Sequence, residues 1–133
     1  MKRGRLRHIA ISVSDAQKAA SFYEAAFGLT RVSESPNAVR LSDGTVNLTL
    51  LNAPTNPNAV DRHGNAVTGV HHIGFWVDDL DEAGERIQSL GGMLDAKEEN
   101  QELTAGAEHK YHDPDGVLFD VTTLGWPGTR REG

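Results

Sequence analysis

Residues His8-Ile9-Ala10-Ile11-Ser12-Val13-Ser14-Asp15 align with His72-Ile73-Gly74-Phe75-Trp76-Val77-Asp78-Asp79, an offset of 64 positions (8 to 72). The match continues through Ala19 with Ala83 and ends at Gly28 with Gly92. Two copies of one pattern must bury equivalent faces, so the repeat commits both halves to the same local structure. Each copy opens with alternating apolar and polar residues, the signature of a half-buried strand. A short polar residue then suits a helix N-cap, Ser14 or Asp15 in the first copy. Ala16, Ala19, Ala20, Tyr23, Ala26 and Phe27 follow at helical spacing, and Gly28 stops the helix. Leu80, Ala83, Ile87 and Leu90 form the second stripe, closed by Gly91-Gly92.

A hairpin follows each helix. In the first copy Val39–Ser42 and Thr45–Leu51 flank Asp43-Gly44, a two-residue turn signal. In the second, Asp113-Pro114-Asp115-Gly116 precedes Val117–Thr122. Weaker strand signals near Arg31-Val32 and Met93-Leu94 complete a β-α-β-β-β reading for each half. The expected fold class is α+β: one domain of two tandem βαβββ modules, about 5–51 and 70–124, whose curved sheet lines a cleft. Residues 52–69, rich in Pro, Asn and Gly, read as a linker or a mobile flap.

Composition narrows the partners. Leu, Ile, Val and Phe make up about 23% of the 133 residues, enough for a modest core. A formal charge of −6 argues against nucleic acid, which needs a basic face. No apolar run reaches the roughly 18 residues of a membrane span, and the basic stretch Met1–Arg7 leads into no signal core. Cysteine is absent, which removes thiolate sites and disulfides. A cytoplasmic location and a small-molecule partner are the expectations.

Strand parity selects candidate site residues, because alternate side chains point to opposite faces. Ile9, Ile11 and Val13 suit the helix side, leaving His8, Ala10 and Ser12 on the concave side. Ile73, Phe75 and Val77 likewise leave His72, Gly74 and Trp76; by the same rule His71 falls on the helix side. If Pro114-Asp115 is the loop, Tyr111 faces Leu118 and His109 faces Asp120. Asp120 alternates with Phe119 and Val121 as an inward acid would, and a buried carboxylate needs a cation, a proton or strong donors. A divalent metal on His8, His72 and Asp120 meets that need. Two imidazoles and a carboxylate form the facial triad of non-haem Fe(II) sites; Mn(II) also suits it, and Zn or Ni would accept the same ligands. Asn47 and Thr49, the polar face of the corresponding first-module strand, are weak ligands and candidate substrate contacts. His109 and Tyr111 are candidate catalytic groups. Trp76 either walls the pocket or plugs the core. Arg40, opposite Asn47 in the first hairpin, either binds an anionic substrate or is solvated. His63 and His112 are assigned to linker and surface, and Glu98, Glu99 and Glu102 to a solvated loop.

The segment Val70–Asp79, the turn Asp113–Gly116 running into Val117-Leu118-Phe119-Asp120, and the paired modules resemble the vicinal oxygen chelate superfamily. That superfamily contains glyoxalase I, methylmalonyl-CoA epimerase, extradiol dioxygenases, fosfomycin-resistance transferases and bleomycin-resistance proteins. The resemblance covers Arg5 to about Leu124 and implies ligands at His8, Thr49 or Asn47, His72 and Asp120. Two departures stand out: Asp120 replaces a more usual Glu, and Thr49 replaces a carboxylate or amide used for proton transfer. The resemblance therefore implies a three-ligand, dioxygenase-like enzyme acting on a small oxygen-chelating substrate. A metal-free binding protein and a Mn-dependent thiol transferase are the alternatives, and a homodimer is expected from the family's habit.

Overall fold

The computed structural model describes residues 4–100 and 106–132. In chain order the elements are β1 (Arg5–Val13), α1 (Ala16–Phe27), β2 (Thr30–Ser35), β3 (Ala38–Ser42), β4 (Asn47–Asn52), β5 (Gly69–Trp76), α2 (Leu80–Ser89), β6 (Met93–Asn100), β7 (Gly106–His112) and β8 (Leu118–Thr122). This is the α+β arrangement expected of the repeat. The strands form one eight-stranded sheet ordered β2-β3-β4-β1-β5-β8-β7-β6. β1 and β5 lie antiparallel at its centre, and each has a parallel neighbour, β4 and β8 respectively. The sheet therefore has the same order read outward from either side of its middle. Both halves meet within one chain.

The helices start where short acids cap them. Asp15 accepts the amide of Lys18 at 3.1 Å, and Asp79 accepts that of Glu82 at 2.9 Å. Under α1 sits an apolar cluster of Ala16, Ala20, Val39, Leu41 and Leu50, flanked by Ile11, Val13, Tyr23 and Leu48. These are the helix-side residues of β1, β3 and β4. Under α2 the packing is aromatic: Tyr111 stacks on Phe119 at 5.7 Å, and Phe75 meets Phe119 edge-on at 6.0 Å.

Both hairpins differ in register from the expectation, for the same physical reason. The aspartate that opens each turn folds its side chain back onto later amides, which lengthens the turn. Asp43 accepts from Thr45 and Val46 (2.9 and 2.8 Å), so Ser42 pairs with Asn47 rather than Thr45 and Arg40 faces Thr49, not Asn47. That shift of two keeps every side chain on its expected face. Asp113 accepts from Asp115 and Val117 (2.8 and 2.9 Å), and here the slip is odd: Lys110 faces Asp120, Tyr111 faces Phe119 and His109 faces Val121. An odd slip exchanges the two faces of a strand.

The segment between the modules is anchored at its start, with Ala53 donating to the Val13 carbonyl at 2.9 Å. It crosses the concave side, where Ala59 packs with Ala10, Ala38 and Leu51. Glu98 and Glu99 lie in β6 and not in a loop, while Glu102 lies outside the described residues. No described helix is long and apolar enough to cross a membrane.

Candidate metal centre

The concave face of the sheet and the crossing segment enclose a cleft of about 750 Å³, lined among others by His8, Arg40, Thr49, His71, His72, Lys110 and Asp120. The central β1–β5 pairing brings the two repeat-related histidines together, with Nε2 atoms 3.0 Å apart. β8, parallel to β5, places Asp120 beside Gly74 and sets its Oδ2 3.1 Å from His72 Nε2. One donor atom from each of His8, His72 and Asp120 lies within 4.8 Å of the others.

Hydrogen bonds behind the imidazoles decide which nitrogen faces inward. Asn47 donates to the Pro127 carbonyl at 3.0 Å, so its Oδ1 is left to accept from His8 Nδ1 (2.8 Å) and from the Thr49 hydroxyl (2.6 Å). His8 Nδ1 therefore carries a proton and His8 Nε2 a lone pair. On the other half His71 Nε2 meets the Val60 carbonyl, which can only accept. Burial lowers the His71 pKa, so its Nδ1 is an acceptor, and His72 Nδ1 is the donor at 2.7 Å. Two imidazole lone pairs and a carboxylate thus converge beside the Lys110 ammonium, which reaches Asp120 but neither imidazole, and a proton or a metal ion between them would satisfy the rest. The spacing fits a metal: two ligands about 2.1 Å from an ion and at right angles are about 3.0 Å apart.

Burial and the neighbouring His72 push His8 down to about 3, which keeps it neutral. Burial raises the Asp120 carboxyl, but His72 and the Lys110 ammonium outweigh it and hold it well below the usual carboxylate range. Burial also disfavours charge on Lys110, and the flanking Asp120 and Glu108 more than restore it. Glu108 is pushed up by burial and then by Asp120; its carboxylate contacts Lys110 Nζ at 3.1 Å and the Trp126 indole N–H at 2.9 Å.

Several expected positions need correction. His109 and Tyr111, as candidate catalytic groups, rested on the hairpin register: His109 is absent from the cleft lining, and Tyr111 borders the cleft with its hydroxyl directed at α2. The Tyr111 hydroxyl abuts α2 so closely that a Cβ on Gly84 would lie 2.6 Å from it. Asn47 is wholly buried and holds His8, so it cannot touch a substrate. Trp76 donates to the Thr123 carbonyl and packs under Gly125, outside the cleft lining. His71 joins the cleft because β5 bulges there: Ala10 and Ile11 pair with His72 and Val70, leaving His71 as the extra residue. His112 is buried and bonded to Asp95 at 2.9 Å rather than exposed.

Three residues were missed, Glu108 among them. Lys110 was hidden by the register, although its alternation with His109 was available. Trp126 stacks on His8 at 4.6 Å and 8°, and a Cβ at residue 74 would lie 2.6 Å from its ring, which is why glycine stands there. An isolated Trp inside Gly125-Trp126-Pro127-Gly128 was its only sequence signal.

A model of the Glyoxalase/Bleomycin resistance protein/Dioxygenase superfamily matches residues 5–121. No curated protein matches the chain significantly. Among solved structures, a hypothetical protein, BH1468, from Bacillus halodurans C-125 is 20% identical with a TM-score of 0.68, covering 99% of this chain and 98% of its own. A substituted methylmalonyl-CoA epimerase from Streptomyces coelicolor, in complex with 2-nitronate-propionyl-CoA, is 22% identical with a TM-score of 0.66 over 89% of this chain and 95% of its own. The Mn(II)-bound glyoxalase from Novosphingobium aromaticivorans is 19% identical with a TM-score of 0.69; it covers 98% of this chain, which spans only 43% of that protein.

Proposed function

Because the chain belongs to the Glyoxalase/Bleomycin resistance protein/Dioxygenase superfamily, we propose that it is a metal-dependent enzyme whose His8, His72 and Asp120 hold a divalent cation against a small oxygen-chelating substrate. The observation that carries this reading is the convergence of three acceptors whose protons are committed elsewhere, by Asn47 behind His8 and by His71 behind His72. Two imidazoles and a carboxylate are the ligand set of non-haem Fe(II) sites and suit Mn(II) equally, so Fe(II) or Mn(II) is favoured over Zn or Ni. Held by these three residues, such an ion would supply Lewis-acid stabilisation to a chelating substrate and, if iron, would allow dioxygen chemistry.

The chain's own residues do the remaining work. Asn47 and His71 orient the imidazoles, in the way that residues behind metal ligands usually do. Trp126 covers the His8 ring and excludes water from that side. By register Thr49 stands beside Ala10 as Asp120 stands beside Gly74, so it occupies the first module's ligand position. Its hydroxyl donates to Asn47, which leaves no carboxylate there to shuttle protons. That favours a three-ligand, dioxygenase-like centre over epimerisation.

One observation supports a metal-free binding protein instead: Lys110 already supplies a cation 3.3 Å from Asp120. Elemental analysis of protein purified without chelator separates the two readings. Fe or Mn near one equivalent in the parent, lost in Asp120→Ala, supports the enzyme; failure of Fe, Mn, Ni and Zn all to bind overturns it. In a metal-loaded protein, turnover that needs a thiol instead of O₂ would identify the transferase alternative.

A further inference from the structure

The charges deepest in the cleft do not balance around a divalent ion. Glu108, Lys110 and Asp120 form one contact chain, with Lys110 Nζ 3.1 Å from Glu108 Oε1 and 3.3 and 3.4 Å from the two Asp120 oxygens. Two carboxylates and one ammonium sum to −1, so a divalent ion on neutral imidazoles leaves the cluster at +1. A surplus charge in a partly desolvated site favours a counter-ion. An ammonium has three N–H donors. Glu108 takes one and the two nearly equidistant Asp120 oxygens share a second, which leaves a third for the cleft, where the side chain is 33% exposed.

The internal repeat places a second cation opposite. Arg40 faces Thr49 on β3–β4 as Lys110 faces Asp120 on β7–β8, and both line the cleft. Of the other cleft acids, Asp61 is held by the amides of His63 and Asn65 and Asp95 by His112, while Glu98 is solvent-exposed.

We infer that the substrate is an anionic chelator, a carboxylate with a neighbouring hydroxyl or carbonyl oxygen, and that Lys110 contacts its charged end beside Asp120. This rests on the proposed metal role of His8, His72 and Asp120. Lys110 is then a specificity-determining residue: it rewards the charged member of a pair of chelators that present the same two oxygens. It also competes with the ion for Asp120, so its removal moves the affinities for metal and for anion in opposite directions.

The test uses the full chain loaded with Mn(II), with water-proton relaxation reporting both ion binding and displacement of water by glycolate or by uncharged hydroxyacetone. Lys110→Met is expected to weaken glycolate at least tenfold, to change hydroxyacetone less than threefold, and to tighten Mn(II) binding. Lys110→Arg keeps glycolate within threefold. Should Lys110→Met not fold, Lys110→Gln gives the same comparison. Equal effects on both chelators, or none, overturn this inference alone. Failure of Mn, Fe, Ni and Zn all to bind the parent overturns the metal reading and this inference with it.

Discussion

Where the first module has Thr49 and Arg40 on its inner strands, the second has Asp120 and Lys110 at the register-equivalent places. Beneath the helices the contrast runs the other way. The first module packs a closed aliphatic cluster under α1, whereas among the described residues no comparable buried cluster lies under α2. The same backbone plan has been given two jobs. One half is a well-packed holder that fixes His8 through Asn47, whose amide is itself bonded to the Thr49 hydroxyl and the Pro127 carbonyl. The other concentrates charge in Asp120, Lys110 and Glu108. A duplicated fold need not duplicate its chemistry, and here the charged groups of the cleft gather on the second module.

The largest effect should come from the holder's core. Leu50 is fully buried, so Leu50→Ala is expected to cost about 2–5 kcal/mol in urea unfolding. Its second-module equivalent, Val121→Ala, removes two carbons and should cost about 1–2 kcal/mol. Equal losses would mean that the two cores are equally tight and the contrast is only one of residue type.

Next come the residues behind the imidazoles. Asn47→Ala and His71→Ala should each weaken Mn(II) binding by about 10–100-fold, measured by competition with a chelator dye. If Asn47→Ala alone does so, the orienting role belongs to the first module only.

The smallest effect is a pH dependence. His8 titrates at about 3 in the folded protein and at about 6.5 unfolded, so the unfolded chain takes up the proton first and stability falls on acidification. Protein freed of metal by chelation should lose about 1 kcal/mol between pH 7 and 5.5, and His8→Gln should flatten most of that slope. A slope unaffected by His8→Gln would place the acid-sensitive group in the other module.

The faces of β1 and β5 were legible because side-chain alternation needs no knowledge of partners: His8, His72 and the inward Asp120 followed from parity and the repeat. What parity cannot supply is register. The turns around Asp43 and Asp113 are lengthened by their own carboxylates, and at the second turn an odd slip put Lys110 where His109 was expected. His71 escaped for a related reason, since a bulge breaks alternation locally. Trp126 could not be placed from the sequence, because its contact with His8 depends on how the segment after β8 turns back across the sheet.

That ring stack joins positions almost a whole described chain apart, and His8, His72 and Asp120 come from β1, β5 and β8. Contacts of such separation are made only after most of the backbone's freedom has been lost. A partly folded molecule therefore offers lone imidazoles instead of a chelating set.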